Sequence, residues 1–365
     1  LGHAPVRCGE DAGHGLVVGG RRFALPTMGA HASDCSAATL YSGDTHLLGL
    51  YCRSFGTGRG RKQGDTMTDL QIRRIRFDFD DAVPFNWNPA NPAFSTYMNM
   101  VSIMAICFEK MIVAAVREAM PLITDPEVAE EAEAFLRQEG QHANSHRQHV
   151  RALVRSYPGL QETFDASNAA YDRVTGTTPL AYRLAYIADL EATFTPFFKM
   201  LLDYEDTLFR TGEDRVASLF VWHFVEEVEH RSSALIVYDA VVGSKSYRMR
   251  VLPKVVKHLT EVSTLIMDGI NEHVPMSERA IDVNTIKPLN GLIDAVRSRV
   301  TRQPRVPAPF HAIPWKRKIH TASRVLLSQT PLHDPAHEPT PEFADRWFAR
   351  FDRGDDVAHW YAGTG

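Results

Sequence analysis

The sequence predicts an all-α protein built on an antiparallel four-helix core. Apolar residues recur at helical spacing from about residue 94 to residue 300. Capping and breaking residues sit at the ends of those periodic stretches. Strand signals, meaning short alternating runs rich in β-branched residues, are scarce.

The elements follow in order. Residues 1–66 hold 13 of the 23 glycines, show no sustained period and end in the Gly/Arg run from Gly56 to Gly64. Such a stretch buries too little apolar surface to offset its ordering entropy. It reads as a disordered extension, or as an upstream stretch absent from a natural product that starts at Met67. The first long helix is expected over 94–120, stopped by Pro121. The second opens at Asp125-Pro126, an N-cap followed by proline at the first helical position, and ends at Pro158-Gly159. A weaker helix over 160–174 leads to a Gly/Thr turn. Another runs from Pro179 to about Arg210, bent at Pro196. One helix is expected over 213–242, ended by Gly243, with two more over 246–272 and 277–300. Beyond 303 a Pro/His-rich tail carries short helices near 315–328 and 340–351. Residues 67–302 therefore form the predicted domain, flanked by an N-terminal extension and an irregular C-terminal tail.

Composition narrows the function. Over 365 residues, 44% are apolar and 23% charged, as in ordinary globular proteins. A net charge of -4 argues against a general nucleic-acid binder. The most apolar helix, Tyr97 to Val116, is interrupted by Glu109 and Lys110, so no membrane span is expected. Cys8, Cys35, Cys52 and Cys107 form no C-x-x-C pair, and no basic-then-apolar leader opens the sequence. The expected location is cytoplasmic.

The chemistry is carried by four helices. Glu139-Gly-Gln-His142 and Glu227-Val-Glu-His230 are E-x-x-H motifs, which put an acid and an imidazole on one helix face. Glu109 lies between Ile106 and Ile112; Glu191 lies between Ile187 and Phe194. The chain order Glu, ExxH, Glu, ExxH is the ligand set with which ferritin-like bundles build di-iron and di-manganese sites. Four carboxylates balance two divalent cations and can bridge them, whereas without metal they would repel one another in a dry core. A single E-x-x-H is usually a solvated face; two, each after a helix with a buried glutamate, are not. His223 and His146 lie one turn from Glu227 and His142 respectively. Each is a candidate ligand and catalytic residue, or a group that supports a ligand carboxylate from behind. His149 reads as ordinary. Gln138, Glu226 and Glu229 belong to outer positions or the surface, and Tyr238 to packing or the cavity wall.

The segments Phe135 to His142 with His146, and Trp222 to His230, resemble the bacterial predicted metal-dependent hydrolases. Phe108-Glu109 and Leu190-Glu191 fall where that family has its other glutamates, and the likeness covers about residues 70–270. The resemblance implies a ferritin-like fold and a transition-metal centre. The spacing of His223, Glu227 and His230 is also similar to that of di-iron arylamine N-oxygenases.

These residues leave three functions open. The first is O2-dependent oxidation by two iron ions behind an apolar wall (Phe108, Phe194, Phe198, Phe220, Phe224), with an electron donor and a small apolar or aromatic substrate. The second is hydrolysis by metal-bound hydroxide on iron, manganese or zinc. The third is a non-enzymatic iron-binding bundle, which the additional helices over 246–300 disfavour. Faces of those same helices are candidates for a homodimer contact, although Lys254, Lys257 and His258 fit solvated positions.

Overall fold

A computed structural model of the chain describes residues 70–287, 308–331 and 333–362, all within the unit Arg61–Gly365. The expectations for residues 1–66 lie outside the described residues. Among the described residues there is no β-strand, and the fold is all-α.

Helix α1 (Pro92–Ala119) starts where the Asn91 side chain accepts from Phe94 N, with proline at the first position. A 3-10 turn at Met120–Leu122 leads to α2 (Pro126–Ser156), capped by Asp125 on Glu127 N. These two helices form a hairpin and pack along each other. After α3 (Leu160–Thr177), α4 (Leu180–Leu202) runs through Pro196 without interruption. The expected continuation to Arg210 is instead the short α5 (Glu205–Leu208). Helix α6 (Asp214–Glu229) is capped by Glu213 on Val216 N.

The helix expected over 213–242 is two helices, because α6 stops at Glu229 and α7 (Ser233–Val241) restarts beyond a short joint. Contacts from α2 break it. Ser233 Oγ donates to Glu131, and the His230 ring is held by Gln138. Arg231 folds back to donate to Val228 O, satisfying one of the carbonyls that a helix end leaves open. Gly243, at φ 62°, ends α7 in the left-handed region that glycine tolerates best. Tyr238 locks that turn by donating to Ser244 O at 2.6 Å.

Helix α8 (Lys245–His273) follows a Ser244 cap. His258, expected in water, is half-buried, its Nδ1 3.0 Å from the Tyr186 hydroxyl. The helix expected from 277 begins as the single turn α9 (Met276–Arg279) and breaks at Ala280, whose φ is 60°. Its remainder beyond 287 lies outside the described residues. Helices α10 (Trp315–Ser328) and α11 (Glu342–Asp352) pack on α4 and α6 respectively.

Helices α1, α2, α4 and the α6–α7 pair enclose one core, with α3 and α8 packed outside α1 and α4. Phe94, Met98, Ile112, Phe135, Leu201, Phe220 and Trp222 are fully buried in it. Helix α1 is long and apolar enough to cross a membrane by length and composition, yet 72% of its most apolar window is buried inside the protein.

Candidate metal centre

Each core helix contributes one glutamate to a shared buried cluster. Glu109 on α1, Glu139 on α2, Glu191 on α4 and Glu227 on α6 are all at most 2% exposed. Among them stand His142, His223 and His230, none more than 3% exposed. Two groups of ligand atoms emerge, each with all atoms within 4.8 Å of one another: Glu109, His142, His223 and Glu227, then Glu139, Glu227 and His230. Glu227 belongs to both. Its Oε1 is 2.8 Å from His223 Nε2, and its Oε2 is 3.2 Å from His230 Nε2. Glu191 closes the second group, with Oε2 3.8 Å from His230 Nε2.

The partners of the second motif, Glu227 and His230, share a group, whereas those of the first, Glu139 and His142, fall in different groups. Glu139 leans across to His230 Nε2 at 3.1 Å, closer than its own motif partner His142, whose Nδ1 is 3.8 Å away. Glu227 alone is common to the two groups, and Glu139 belongs to the second.

The imidazoles are aimed by bonds on their far sides. His230 Nδ1–H donates to Gln138 Oε1 at 3.0 Å, and His142 Nε2–H donates to Glu226 Oε2 at 2.9 Å. His223 Nδ1 is 2.7 Å from His146 Nε2. Each ligand ring thereby turns its other nitrogen toward the carboxylates. The helper groups are themselves held. Arg73 bonds Glu226 and Glu229, and the Gln138 amide donates to Gln71 O and Glu229. Arg73 also lies under Phe348 of α11, 4.6 Å from its ring.

His146 does not join the groups. Its Nε2 faces His223 and its Nδ1 faces the Ser102 hydroxyl at 2.7 Å, so neither nitrogen remains for an ion. The expectation of His146 as a ligand is corrected to a support behind His223. Ser102 continues the line to His149 Nδ1 at 2.9 Å, which makes His149 the buried end of a hydrogen-bonded row. Ser102 precedes Glu109 by two helical turns on one face of α1, a spacing that would have pointed to it. Arg73 left no local signal, since its partner Glu226 is 153 residues away.

The electrostatics match a site built for cations. Burial, then the charge of Glu139, pushes Glu109 well above its usual range; burial and the charges of Glu227 and Glu139 do the same to Glu191. Burial and the charge of Glu227 also raise Glu139. Burial opposes ionisation of Glu227 too, but His230, His142 and His223 hold it well below the usual range. For His142, burial is outweighed by Glu226, Glu227 and Glu139, which push it up to about 10.

The donor set fits divalent transition metals. Glu109 Oε2, Glu139 Oε2 and Glu191 Oε1 are buried without a hydrogen-bond partner, and all belong to residues of the ligand groups. Such orphaned atoms are costly unless a cation satisfies them. A family model described as predicted metal-dependent hydrolase matches residues 71–303. No curated protein and no solved structure matches the chain.

Proposed function

The chain belongs to the predicted metal-dependent hydrolase family, and from that premise we propose that it is an enzyme with a di-iron centre that uses O2 to oxidise a small apolar or aromatic substrate. Glu109, His142 and His223 would hold one ion, Glu139, Glu191 and His230 the other, with Glu227 common to both sets. The observation that carries this reading is the aromatic wall on the His223 side of the ligands. Phe198 stacks on Phe224 at 4.0 Å between ring centroids and lies 6.3 Å from the His223 ring. Phe108 and Phe194 meet edge to face at 6.2 Å. O2 is small and apolar enough to enter such a place, and a dry wall protects reactive species from water.

When bound, an iron pair would supply the electron transfer for a reaction in which one oxygen atom of O2 enters the substrate and the other leaves as water, with two protons and two electrons from an external donor. The residues around it set the conditions. Four carboxylates neutralise the ions, while the phenylalanines exclude bulk water. The row His223, His146, Ser102, His149 fixes the His223 ring.

A second reading, hydrolysis by metal-bound hydroxide, is favoured by the family's description. Elemental analysis and O2 uptake after anaerobic reduction separate the two. Two irons per chain, a near-ultraviolet band and stoichiometric O2 consumption are expected. Tightly held zinc or manganese, no O2 uptake and turnover of ester substrates would establish hydrolysis instead; a mineral core of many irons would establish storage.

A further inference from the structure

We propose that α10 docks the protein onto a negatively charged lipid surface. Helix α10 packs on α4 with Thr321 and Ser328 buried. Its opposite face carries Trp315, Ile319 and Leu326, which are 65%, 53% and 73% exposed. With exposed Ala322, these residues follow spacings of four, three and four. At helical pitch they fall within roughly 60° of one another, so they form a continuous outward stripe. Single exposed apolar residues are common on soluble proteins, but an aligned row on one helix is not.

Charge decides what fits that stripe. Residues 308–331 contain Lys316, Arg317, Lys318 and Arg324 and no aspartate or glutamate, in a chain whose net charge is -4. Lys316 and Lys318 flank the stripe on its two sides. Arg324 is committed to Glu338, and Lys318 donates to Phe310 O, whereas Lys316 and Arg317 have no ion pair among the described residues. An apolar row bordered by cations is the pattern of a helix lying in a bilayer interface, with rings and aliphatic chains in the acyl boundary and ammonium groups at lipid phosphates. A nucleic acid would engage the cations but leave Ile319 and Leu326 in water. At about 1.5 Å per residue, the 14 residues span about 21 Å, enough to lie flat on a membrane.

The full-length protein carries its own reporter. Of its five tryptophans, Trp87, Trp222, Trp347 and Trp360 are buried and Trp315 is exposed. Vesicles of phosphatidylcholine with 30% (about one lipid in three) phosphatidylglycerol are added while tryptophan emission and flotation are followed. A blue shift, protection from acrylamide and co-flotation are expected, all reduced by high salt and weak with pure phosphatidylcholine. Trp315→Ser should remove the shift. Ile319→Ser or Leu326→Ser should each lower partitioning on the order of tenfold, and these exposed positions leave folding intact. Lys316→Glu with Lys318→Glu should lower it by more than about tenfold. The proposal is overturned if anionic vesicles leave emission and flotation unchanged, or if neutral vesicles bind equally well. It is also overturned if the shift follows protein concentration without lipid, which would mean that a second copy covers the stripe. Nor does it survive an emission from Trp315 that is already blue and quencher-protected in lipid-free protein, since the chain would then cover the stripe itself.

Discussion

At the residue scale, the arrangement separates side chains that would touch an ion from those that aim them. Glu227→Ala removes the one carboxylate common to both ligand groups, so both ions should be lost in elemental analysis. Glu226→Ala leaves every proposed ligand in place but frees His142 Nε2. Metal content at saturation should persist there while affinity falls by about 10–100-fold, read by competition with a chelator. His149 offers a test by pH. Burial lowers it from 6.5 to about 3, so the folded protein keeps it neutral where the unfolded chain takes up a proton. Its contribution to stability is therefore present above about pH 6.5 and is lost as pH falls toward 3. In metal-free protein, His149→Gln should flatten the acid side of the urea-midpoint profile by up to about 1.4 kcal/mol per pH unit. Glu109 and Glu191 were legible because a carboxylate inside an apolar stripe has no cheap alternative explanation. Arg73 was not, since only the tertiary fold brings it to Glu226.

At the scale of elements, helix starts were legible wherever a short-range rule governs them. Asp125-Pro126 marks the start of α2 through its own cap. The joint between α6 and α7 obeys no such rule, because Glu131 and Gln138, on a different helix, hold Ser233 and His230. Helix pairing also depends on close approach. At Gly269 on α8 an added Cβ would overlap the Thr163 side chain of α3. Gly269→Ala should therefore destabilise the protein by about 1–3 kcal/mol in chemical unfolding, despite alanine's better helix propensity. An unchanged or raised midpoint would mean that α3 and α8 separate easily.

For the molecule as a whole, stability and metal loading are one problem. Glu109, Glu139 and Glu191 are each pushed up by burial and by neighbouring carboxylates, so the empty core resists ionising them. Binding satisfies the orphaned atoms and should raise the unfolding free energy by about 2.7 kcal/mol for each site when free metal is a hundred times its dissociation constant. Stripping with a chelator should lower the thermal midpoint by several degrees, and adding back iron should restore it. All-helical architecture was legible from periodicity alone. The packing of α10 and α11 on α4 and α6 was not, because their short amphipathic patterns do not say which faces they cover.

The shared position of Glu227 has a consequence for how the centre fills. The first ion to arrive would fix this carboxylate and, through it, orient the His223 and His230 rings on either side. The neighbouring position would then be pre-shaped before its own occupant appears. Titration should look cooperative, with a sigmoidal isotherm and few singly loaded chains in native mass spectra, and in Glu227→Gln that coupling should weaken.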